Sequence, residues 1–585
     1  MLKIFKNLRS TEWVLFAISL IFIVSQVWLD LKLPDYMSEI TQLVQTPGSE
    51  MRDILVAGGY MLLCALLSLG ASFIVAAIAA RIAANFSARL RLKLFDKVQS
   101  FSMEEINNFS TASLVTRSTN DVNQVQMFIV MGLQMLVKAP IMAIWALLKI
   151  MDKSWQWTLS TGLSVLVLLV VVGICMAIAL PKFKRIQSLT DNLNRIAREN
   201  ISGLRVIRAY NAEAYQEEKF AVANRELTHN NLYTNSVLAS LMPSISLIMS
   251  GLSLAIYWIG AILINEADLP SRMIIFSDMI VFSSYAIQVV MAFMMLIMVF
   301  ILMPRATVSA KRMNEVLETS PLIKNGNRQE GVVGSVGEIE FKGVSFKYAD
   351  SEDYVLENIS FTAKRGETIA FIGATGCGKS TLVNLIPRFY DVTDGEILIN
   401  GINVKEYDQQ SLRNKLGYVS QKAILFEGSV SSNIAFGDNG KKMIDVQDVM
   451  DSIEIAQASE FVERMTRTYE AHIAQGGTNL SGGQKQRLSI ARAIARRPEF
   501  LIFDDSFSAL DYKTDHKLRQ ILKKETAGTT LLIVAQRIGT IKDADKIIVL
   551  DEGCIVGMGS HEELMSTCEV YQEIAYSQLS KEELA

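Results

Sequence analysis

Six apolar stretches set the pattern of the first half of the chain. They lie at residues 13–33, 54–80, 128–150, 157–180, 236–264 and 273–303. Each is long enough to cross a lipid bilayer, for which about 20 apolar residues are needed. The pattern therefore predicts six membrane-spanning helices.

The connections between these stretches differ in length and polarity. Three are short, at 34–53, 151–156 and 265–272, whereas 81–127 and 181–235 are long and rich in Lys and Arg. Because basic connections stay on the cytoplasmic side of a membrane, we expect both long connections and both termini to be cytoplasmic. The helical periodicity after residue 181 predicts a stalk of roughly 33 Å, at 1.5 Å per residue.

A few polar and methionine side chains interrupt the predicted spans. Lys138 is expected near the inner interface, where snorkelling of its ammonium group is favoured over a role in transport. Asp278 and Gln288 in the sixth span are candidates to face a central cavity, since an acid facing lipid is costly. Met291 and Met295 in the same span suit an adaptable apolar binding surface, although ordinary helix packing is the favoured interpretation. These four residues of the sixth span form the candidate substrate cavity.

From residue 304 the chain changes character. A charged, glycine-containing stretch leads to an alternating strand pattern that begins at residue 338. Apolar strand runs such as 500–503 and 531–534 then alternate with helical segments, as in an α/β domain. We predict an α-helical transmembrane domain at 1–303, a linker at 304–337, an α/β P-loop domain at 338–577 and a tail at 578–585.

The motif that organises the second half is T-I-A-F-I-G-A-T-G-C-G-K-S-T at 368–381. An apolar strand breaks into glycines whose backbone N–H groups can converge on one point, and a helix follows. This is the G-x-x-x-x-G-K-[ST] pattern of a P-loop, which binds a nucleoside triphosphate and, through its last hydroxyl, Mg²⁺. The candidate ligands are Gly373, Thr375, Gly376, Cys377, Gly378, Lys379, Ser380 and Thr381.

Two further motifs belong to the same chemistry. The apolar strand at 500–503 delivers Asp504, which is placed to hold Mg²⁺ beside Ser380. Upstream, a serine and two glycines at the start of a helix make a second anion site. One domain has no use for two cradles around one phosphate chain, so we expect the second to close over a nucleotide held by another copy of the domain. Its residues are Leu480, Ser481, Gly482, Gly483 and Gln484.

Composition narrows the range of partners. Half of the 585 residues are hydrophobic and the formal net charge is only −3. That balance argues against a nucleic-acid partner, which needs a clustered basic surface. Five cysteines are scattered without a C-x-x-C pair, so neither a metal site built on cysteines nor a disulfide is expected.

The L-S-G-G-Q motif, lying between a P-loop and the strand of Asp504, resembles the signature of ATP-binding cassette (ABC) transporters. Six spans with long cytoplasmic extensions resemble an exporter half-transporter of that family. The resemblance implies ATP and Mg²⁺ as ligands, with Tyr348 stacking on adenine, Gln421 contacting Mg²⁺ and Asp511 at the seam between two cassettes. It also implies that segments 109–114 and 206–213 dock on cassettes, the second on the partner's.

Two residues depart from the family pattern. The glutamate expected after Asp504 is replaced by Asp505, whose carboxylate is retracted by about 1.5 Å, the length of one carbon–carbon bond. The histidine of the switch loop is replaced by Gln536, which cannot carry a positive charge. Because both changes weaken the attack of water, we expect this P-loop site to bind ATP and hydrolyse it poorly.

An intact signature beside a weakened catalytic site resembles the degenerate-site subunit of a heterodimeric bacterial multidrug exporter. The resemblance implies a different half-transporter as partner, carrying the glutamate and the histidine, and a multi-pass location among the lipids of the bacterial cell membrane. The expected substrate is a hydrophobic or amphipathic small molecule. A homodimeric exporter, a lipid or peptide translocase, and an ATP-gated regulator or channel are the alternatives.

Overall fold

The computed structural model describes residues 2–6, 8–46, 48–151, 154–440 and 443–578. The end of the predicted tail, 579–585, lies outside the described residues. The chain divides into two units: Met1–Lys97 with Ala112–Thr319, and Val98–Thr111 with Ser320–Ala585. The short segment Val98–Thr111 thus belongs with the second half of the chain.

The first half is helical throughout. Six of its helical segments are long and apolar enough to cross a membrane, which confirms the predicted number among the described residues. Its helices are α1 Leu2–Phe5, α2 Ser10–Gln45, α3 Met51–Gln99, α4 Met103–Phe109, α5 Thr111–Ser118, α6 Asn120–Met151, α7 Trp155–Ser202, α8 Leu204–Ala209, α9 Glu213–Ala239, α10 Leu241–Glu266 and α11 Leu269–Glu318.

Several of these helices are much longer than a bilayer is thick. Helix α3 has 49 residues and α7 has 48, so each is roughly 70 Å long at 1.5 Å per residue. The hydrocarbon core is only about 30 Å thick, and the polar ends of these helices therefore extend beyond it. Helix α11 likewise runs on to Glu318, so the first part of the predicted linker is helical.

The helix that holds the first predicted span, 13–33, does not end with that span, because α2 continues through Pro34 to Gln45. Proline has no N–H, so the carbonyl of Asp30 loses its donor within the helix. Gln288 of α11 donates its side-chain N–H to that carbonyl at 3.5 Å, and the hydroxyl of Tyr285 donates to the carbonyl of Leu31 at 3.0 Å. A neighbouring helix thus supplies the donor that the carbonyl of Asp30 lacks, as a proline inside a membrane helix requires.

The snorkelling interpretation of Lys138 stays a prediction, and the structure gives the ammonium group a charged partner. Nζ of Lys138 lies 3.1 Å from Oδ2 of Asp30 on α2. An acid on a neighbouring helix compensates the ammonium charge where it stands, so the side chain does not need to reach the interface.

The second unit is built on two main sheets. A six-stranded sheet has the order β12-β11-β3-β10-β9-β6, parallel except for β12, and a four-stranded antiparallel sheet has the order β2-β1-β4-β5. Strands β7 and β8 form a separate antiparallel pair. The strands are β1 Ile339–Phe346, β2 Leu356–Ala363, β3 Thr368–Gly373, β4 Asp394–Ile399, β5 Ile402–Asn403, β6 Leu416–Val419, β7 Gly428–Ser429, β8 His472–Ile473, β9 Phe500–Asp504, β10 Thr530–Val534, β11 Lys546–Asp551 and β12 Cys554–Gly559.

Helices cover both faces of the six-stranded sheet. Along β3, Ile369 and Phe371 enter one buried cluster while Ala370 and Ile372 enter the other. This alternation follows from the two-residue period of a strand and explains why the strand reads as a continuous apolar run. The helices are α12 Lys379–Leu385, α13 Gln409–Asn414, α14 Val430–Ile434, α15 Val446–Ile455, α16 Ser459–Glu463, α17 Gly482–Ala495, α18 Tyr512–Glu525, α19 Ile538–Ile541, α20 His561–Thr567 and α21 Glu569–Gln578.

Candidate functional site

The candidate nucleotide-binding residues follow four neighbouring strands of the six-stranded sheet. In the order β3, β10, β9 and β6, these strands are parallel and hydrogen-bonded side by side. The P-loop follows β3, Gln536 follows β10, Asp504 ends β9 and Gln421 follows β6. Since ligands of open α/β sheets bind at the carboxyl ends of the strands, the topology brings these four segments to one edge.

The P-loop turns on glycines with a left-handed backbone. Gly376 and Gly378 have φ angles of 92° and 94°, which side-chain-bearing residues rarely adopt. A Cβ on Gly378 would also lie 2.7 Å from Leu356 and 2.9 Å from the carbonyl oxygen of Val355. The loop can therefore curl tightly against the sheet, as an anion cradle requires.

Lys379 is buried and lies inside the curl of the loop. Its Nζ donates to the carbonyl oxygens of Gly373 at 2.8 Å and Ala374 at 2.7 Å, and it lies 3.5 Å from Sγ of Cys377. The ammonium group is thus held among acceptors of the loop itself, where its charge suits a phosphate chain.

Ser380 and Asp504 fit the requirements of Mg²⁺. The serine hydroxyl donates to Oδ1 of Asp504 at 2.7 Å, so two hard oxygen ligands lie side by side. Burial raises the pKa of Asp504 above its usual value, although the hydrogen bond from Ser380 opposes the rise. A divalent cation held by these oxygens would supply the positive charge that compensates the buried carboxylate.

Asp505 follows Asp504 and is tied to two other loops. Its backbone has a φ of 46°. Its Oδ2 accepts a hydrogen bond from Nε2 of Gln536 at 2.8 Å and another from Nε2 of Gln421 at 3.3 Å. Burial raises the pKa of Asp505, while the hydrogen bond from Gln421 and the charge of Lys379 lower it. One carboxylate oxygen therefore joins Gln421 and Gln536, a link that residue spacing does not reveal.

Tyr348 lies beside the P-loop helix. Its hydroxyl is 3.0 Å from Oγ1 of Thr381, and its ring packs edge-on against Phe346 and Tyr390 at centroid distances of 4.9 and 5.3 Å. The three rings place an aromatic surface next to the cradle. Stacking of Tyr348 on adenine stays a prediction.

The signature segment lies at the start of α17. Oγ of Ser481 accepts from the backbone N–H of Gln484, and Oε1 of Gln484 accepts from the backbone N–H of Ser481, so the two residues form a capping box. Ser481 and Gly482 are exposed. Asp511 is the N-cap of α18 and accepts from the backbone N–H of Thr514 at 2.9 Å. The signature is thus pre-formed and accessible.

Contacts with the second half of the chain lie beside the first predicted docking segment, 109–114, whose own docking stays a prediction. Helix α4, Met103–Phe109, lies just before the predicted 109–114. Oε1 of Glu105 accepts from the backbone N–H of Leu322 at 2.7 Å, and Nδ2 of Asn107 lies 3.4 Å from the hydroxyl of Tyr390. The capping-box pattern from Ser102 to Glu105 was the signal in the sequence for this helix. In the second predicted segment, 206–213, Val206 and Tyr210 are largely exposed.

The polar residues of the sixth span do not behave alike. Gln288 reaches the carbonyl of Asp30, as described above. Met291 is 41 % exposed, whereas Asp278 and Met295 are half-buried. A substrate cavity at these residues stays a prediction. Sequence reasoning missed Asp30, whose only signal was an acid inside an apolar run.

Comparisons with known proteins agree with this geometry. A family model described as ABC transporter matches residues 356–508, and one described as ABC transporter transmembrane region matches 16–293. An uncharacterized ABC transporter ATP-binding protein of Mycobacterium tuberculosis is 38% identical over 521 residues, which are 89% of this chain and 87% of that protein. An ATP-dependent lipid A-core flippase of Syntrophus aciditrophicus is 31% identical over 524 residues, covering 88% of this chain and 84% of the flippase. A solved structure of a bacterial Atm1-family ABC exporter with ATP bound aligns with a TM-score of 0.80 at 22% identity, over 97% of this chain and 98% of that one.

Proposed function

Since the chain belongs to the ABC transporter family, as a multi-pass exporter half-transporter with one ATP-binding domain, we propose that it is one half of a heterodimeric exporter. Its own P-loop site binds ATP with Mg²⁺ and hydrolyses it slowly. Its signature completes the site of a different half-transporter, where most of the hydrolysis takes place.

The environment of Asp505 carries this proposal. A general base must accept a proton from the attacking water. Oδ2 of Asp505 already accepts hydrogen bonds from the amides of Gln421 and Gln536, so this oxygen is occupied by protein donors and is not free to accept from a water. Gln536 can neither take up a proton nor supply a positive charge. The carboxylate is also one carbon–carbon bond, about 1.5 Å, shorter in reach than a glutamate.

The signature supports the second half of the proposal. Ser481 is exposed and already holds its helix-capping geometry, so the start of α17 at Gly482 and Gly483 can meet a phosphate without rearrangement. A pre-formed phosphate site beside a weakened base is useful only if the nucleotide that it covers is hydrolysed by better-placed residues. A partner with a glutamate and a histidine at the corresponding positions provides them.

For the membrane domain we propose export of hydrophobic or amphipathic small molecules, with multidrug export as the leading case. The methionines near Gln288 suit adaptable apolar contacts. We place the protein in the bacterial cell membrane. The Lys and Arg residues of the long extensions favour a cytoplasmic location for the ATP-binding domain and for both termini. The lipid A-core flippase among the relatives makes a lipid substrate the second candidate.

The test is to count where nucleotide is hydrolysed. The full-length chain is purified from its own host with whatever half-transporter accompanies it, and photoreactive ATP is trapped with vanadate. We expect the label, after trapping, on the partner's P-loop rather than on this chain. A complex of two identical chains that trap nucleotide equally would overturn the heterodimer proposal and leave a homodimeric exporter.

A further inference from the structure

Four spanning helices meet at one residue, Asp30. Asp30 of α2 accepts a hydrogen bond from the hydroxyl of Ser68 on α3 through Oδ1, and its Oδ2 lies 3.1 Å from Nζ of Lys138 on α6. Its backbone carbonyl, freed by Pro34, accepts from Nε2 of Gln288 on α11 at 3.5 Å. We call Asp30, Ser68, Lys138 and Gln288 the polar cluster.

The polar cluster lies far from the ends of its helices. At 1.5 Å per residue, Lys138 is roughly 20 Å from the end of α6 at Met151 and roughly 27 Å from its start at Asn120. The Asp30 side chain is 24 % exposed and that of Lys138 is 19 % exposed. Charged side chains that face acyl chains are costly, so the partial exposure of this pair favours a position that faces a polar pathway.

A comparison along the same helix separates this pair from a purely structural one. Asp35 holds three partners, with Nζ of Lys149 at 2.9 Å, Nζ of Lys32 at 3.6 Å and the hydroxyl of Tyr285 at 2.5 Å. In the polar cluster, by contrast, Oε1 of Gln288 is buried and accepts no hydrogen bond from any residue that the structure describes. A buried acceptor without a donor is costly and points to a donor that arrives from elsewhere.

We propose that the polar cluster binds the zwitterionic headgroup of an amphipathic substrate, an inference that rests on the exporter function proposed above. Asp30 and Lys138 together carry no net charge. A cationic ligand that pairs with Asp30 leaves Lys138 uncompensated, and an anionic ligand does the same to Asp30. Uncompensated charges are costly in a low-dielectric interior.

A zwitterion avoids this cost by exchange of partners. Its ammonium pairs with Asp30 and its anionic group with Lys138, so every charge stays paired. The ammonium also brings N–H donors for Oε1 of Gln288. The headgroup of a phosphoethanolamine amphiphile has this chemistry.

The test measures headgroup preference. The full-length chain, with its accompanying partner in a neutral detergent, is titrated with three fluorescent amphiphiles that share one alkyl tail. Their headgroups are a phosphoethanolamine, an ammonium and a methyl phosphodiester, the last of which carries one negative charge and is called the phosphate probe. Fluorescence anisotropy gives three values of Kd. We expect the zwitterionic probe to bind about tenfold more tightly than either singly charged probe, because one charged hydrogen bond is worth about that factor.

Single substitutions should then change the preference in opposite directions. Lys138→Met leaves Asp30 alone and should make the ammonium probe the tightest, whereas Asp30→Asn should make the phosphate probe the tightest. Gln288→Met should weaken the two ammonium-bearing probes and leave the phosphate probe unchanged. Lys149→Met, which removes a lysine from the same helix but from the other pair, is the matched control and should keep the preference of the wild type.

Folding is checked by thermal melting, and Asp30→Asn/Lys138→Met keeps the cluster neutral if a single variant is unstable. This double variant should bind all three probes alike. Equal binding of the probes by the wild type, or shifts of both single variants in the same direction, would overturn the inference. ATP-driven transport of an uncharged dye in proteoliposomes separates the two proposals. If the wild-type complex does not transport the dye, that result counts against the exporter function and not against the headgroup site.

Discussion

Two regions of the ATP-binding domain treat their polar groups in opposite ways. In this chain's own site, Asp505 is 7 % exposed and its carboxylate is bound by two amides of neighbouring loops. In the signature segment, Ser481 is exposed and its side chain only caps its own helix. The first region is satisfied from within, whereas the second leaves backbone donors open to a ligand. The contrast suggests a domain that retains its own nucleotide and serves another.

The largest effect is expected from Ser481→Arg, which alters the exposed signature segment. Loss of the hydroxyl and the added bulk should lower the ATPase rate of the purified complex by about a hundredfold, the order found when one preorganised phosphate or oxyanion donor is removed. The matched control is Ser560→Arg, since Ser560 forms the same capping box with Glu563 on α20. Both changes lose a cap worth about 1 kcal/mol. Equal ATPase rates in the two variants would contradict the role of the signature.

The second prediction concerns this chain's own P-loop site, where Asp505 is bound by two amides. In the Ser481→Arg background, the remaining turnover reports mainly this chain's own P-loop site. Asp505→Glu combined with Gln536→His should raise that turnover at least about tenfold, because a better-placed general base contributes a factor of about 10²–10⁴. Asp505→Glu alone should give a smaller rise. No increase in either variant would mean that the amide contacts of Asp505 do not limit hydrolysis.

The features that could be predicted from the sequence are those formed by residues close together along the chain. The strand, glycine loop and helix around Lys379 are local, and so is the apolar length of each span. Contacts between distant residues could not be predicted. Gln421 and Gln536 meet at Asp505 only because β6, β9 and β10 are adjacent in the sheet. The continuation of α2 past Pro34 depends on donors more than 250 positions away, on α11.

A moderate effect is expected for Gln536→Ala, which removes the shorter of the two amide contacts. The buried carboxylate of Asp505 then loses a donor, and an unsatisfied buried group costs about 1–3 kcal/mol. The thermal midpoint of the full-length protein should fall. Gln410→Ala on α13, at an exposed position, is the control and should change the midpoint little. A midpoint equal to that of the control would show that Gln421 alone satisfies Asp505.

The smallest effect is a difference in the sign of two pH dependences. Burial raises the pKa of Asp505 above the model-peptide value of 3.8, so the folded state binds this proton more tightly than the unfolded state. Its ionisation therefore lowers stability as pH rises through the window above 3.8. Hydrogen bonds from Thr514 lower the pKa of Asp511, so that acid adds stability above 3.8 and loses it as pH falls.

The paired substitutions Asp505→Asn and Asp511→Asn remove one titration each and keep the side-chain shape. Melting is followed from about pH 2 to about pH 7, a range that extends to both sides of the ordinary value of 3.8 and so covers the titration of each carboxyl. The melting midpoint of Asp505→Asn, relative to that of the wild type, should rise with increasing pH. The relative midpoint of Asp511→Asn should fall with increasing pH. The same trend in both variants would mean that the buried acid and the exposed acid are held alike. The difference between the buried site of Asp505 and the exposed segment of Asp511 would then not include a difference in how the two carboxylates are stabilised.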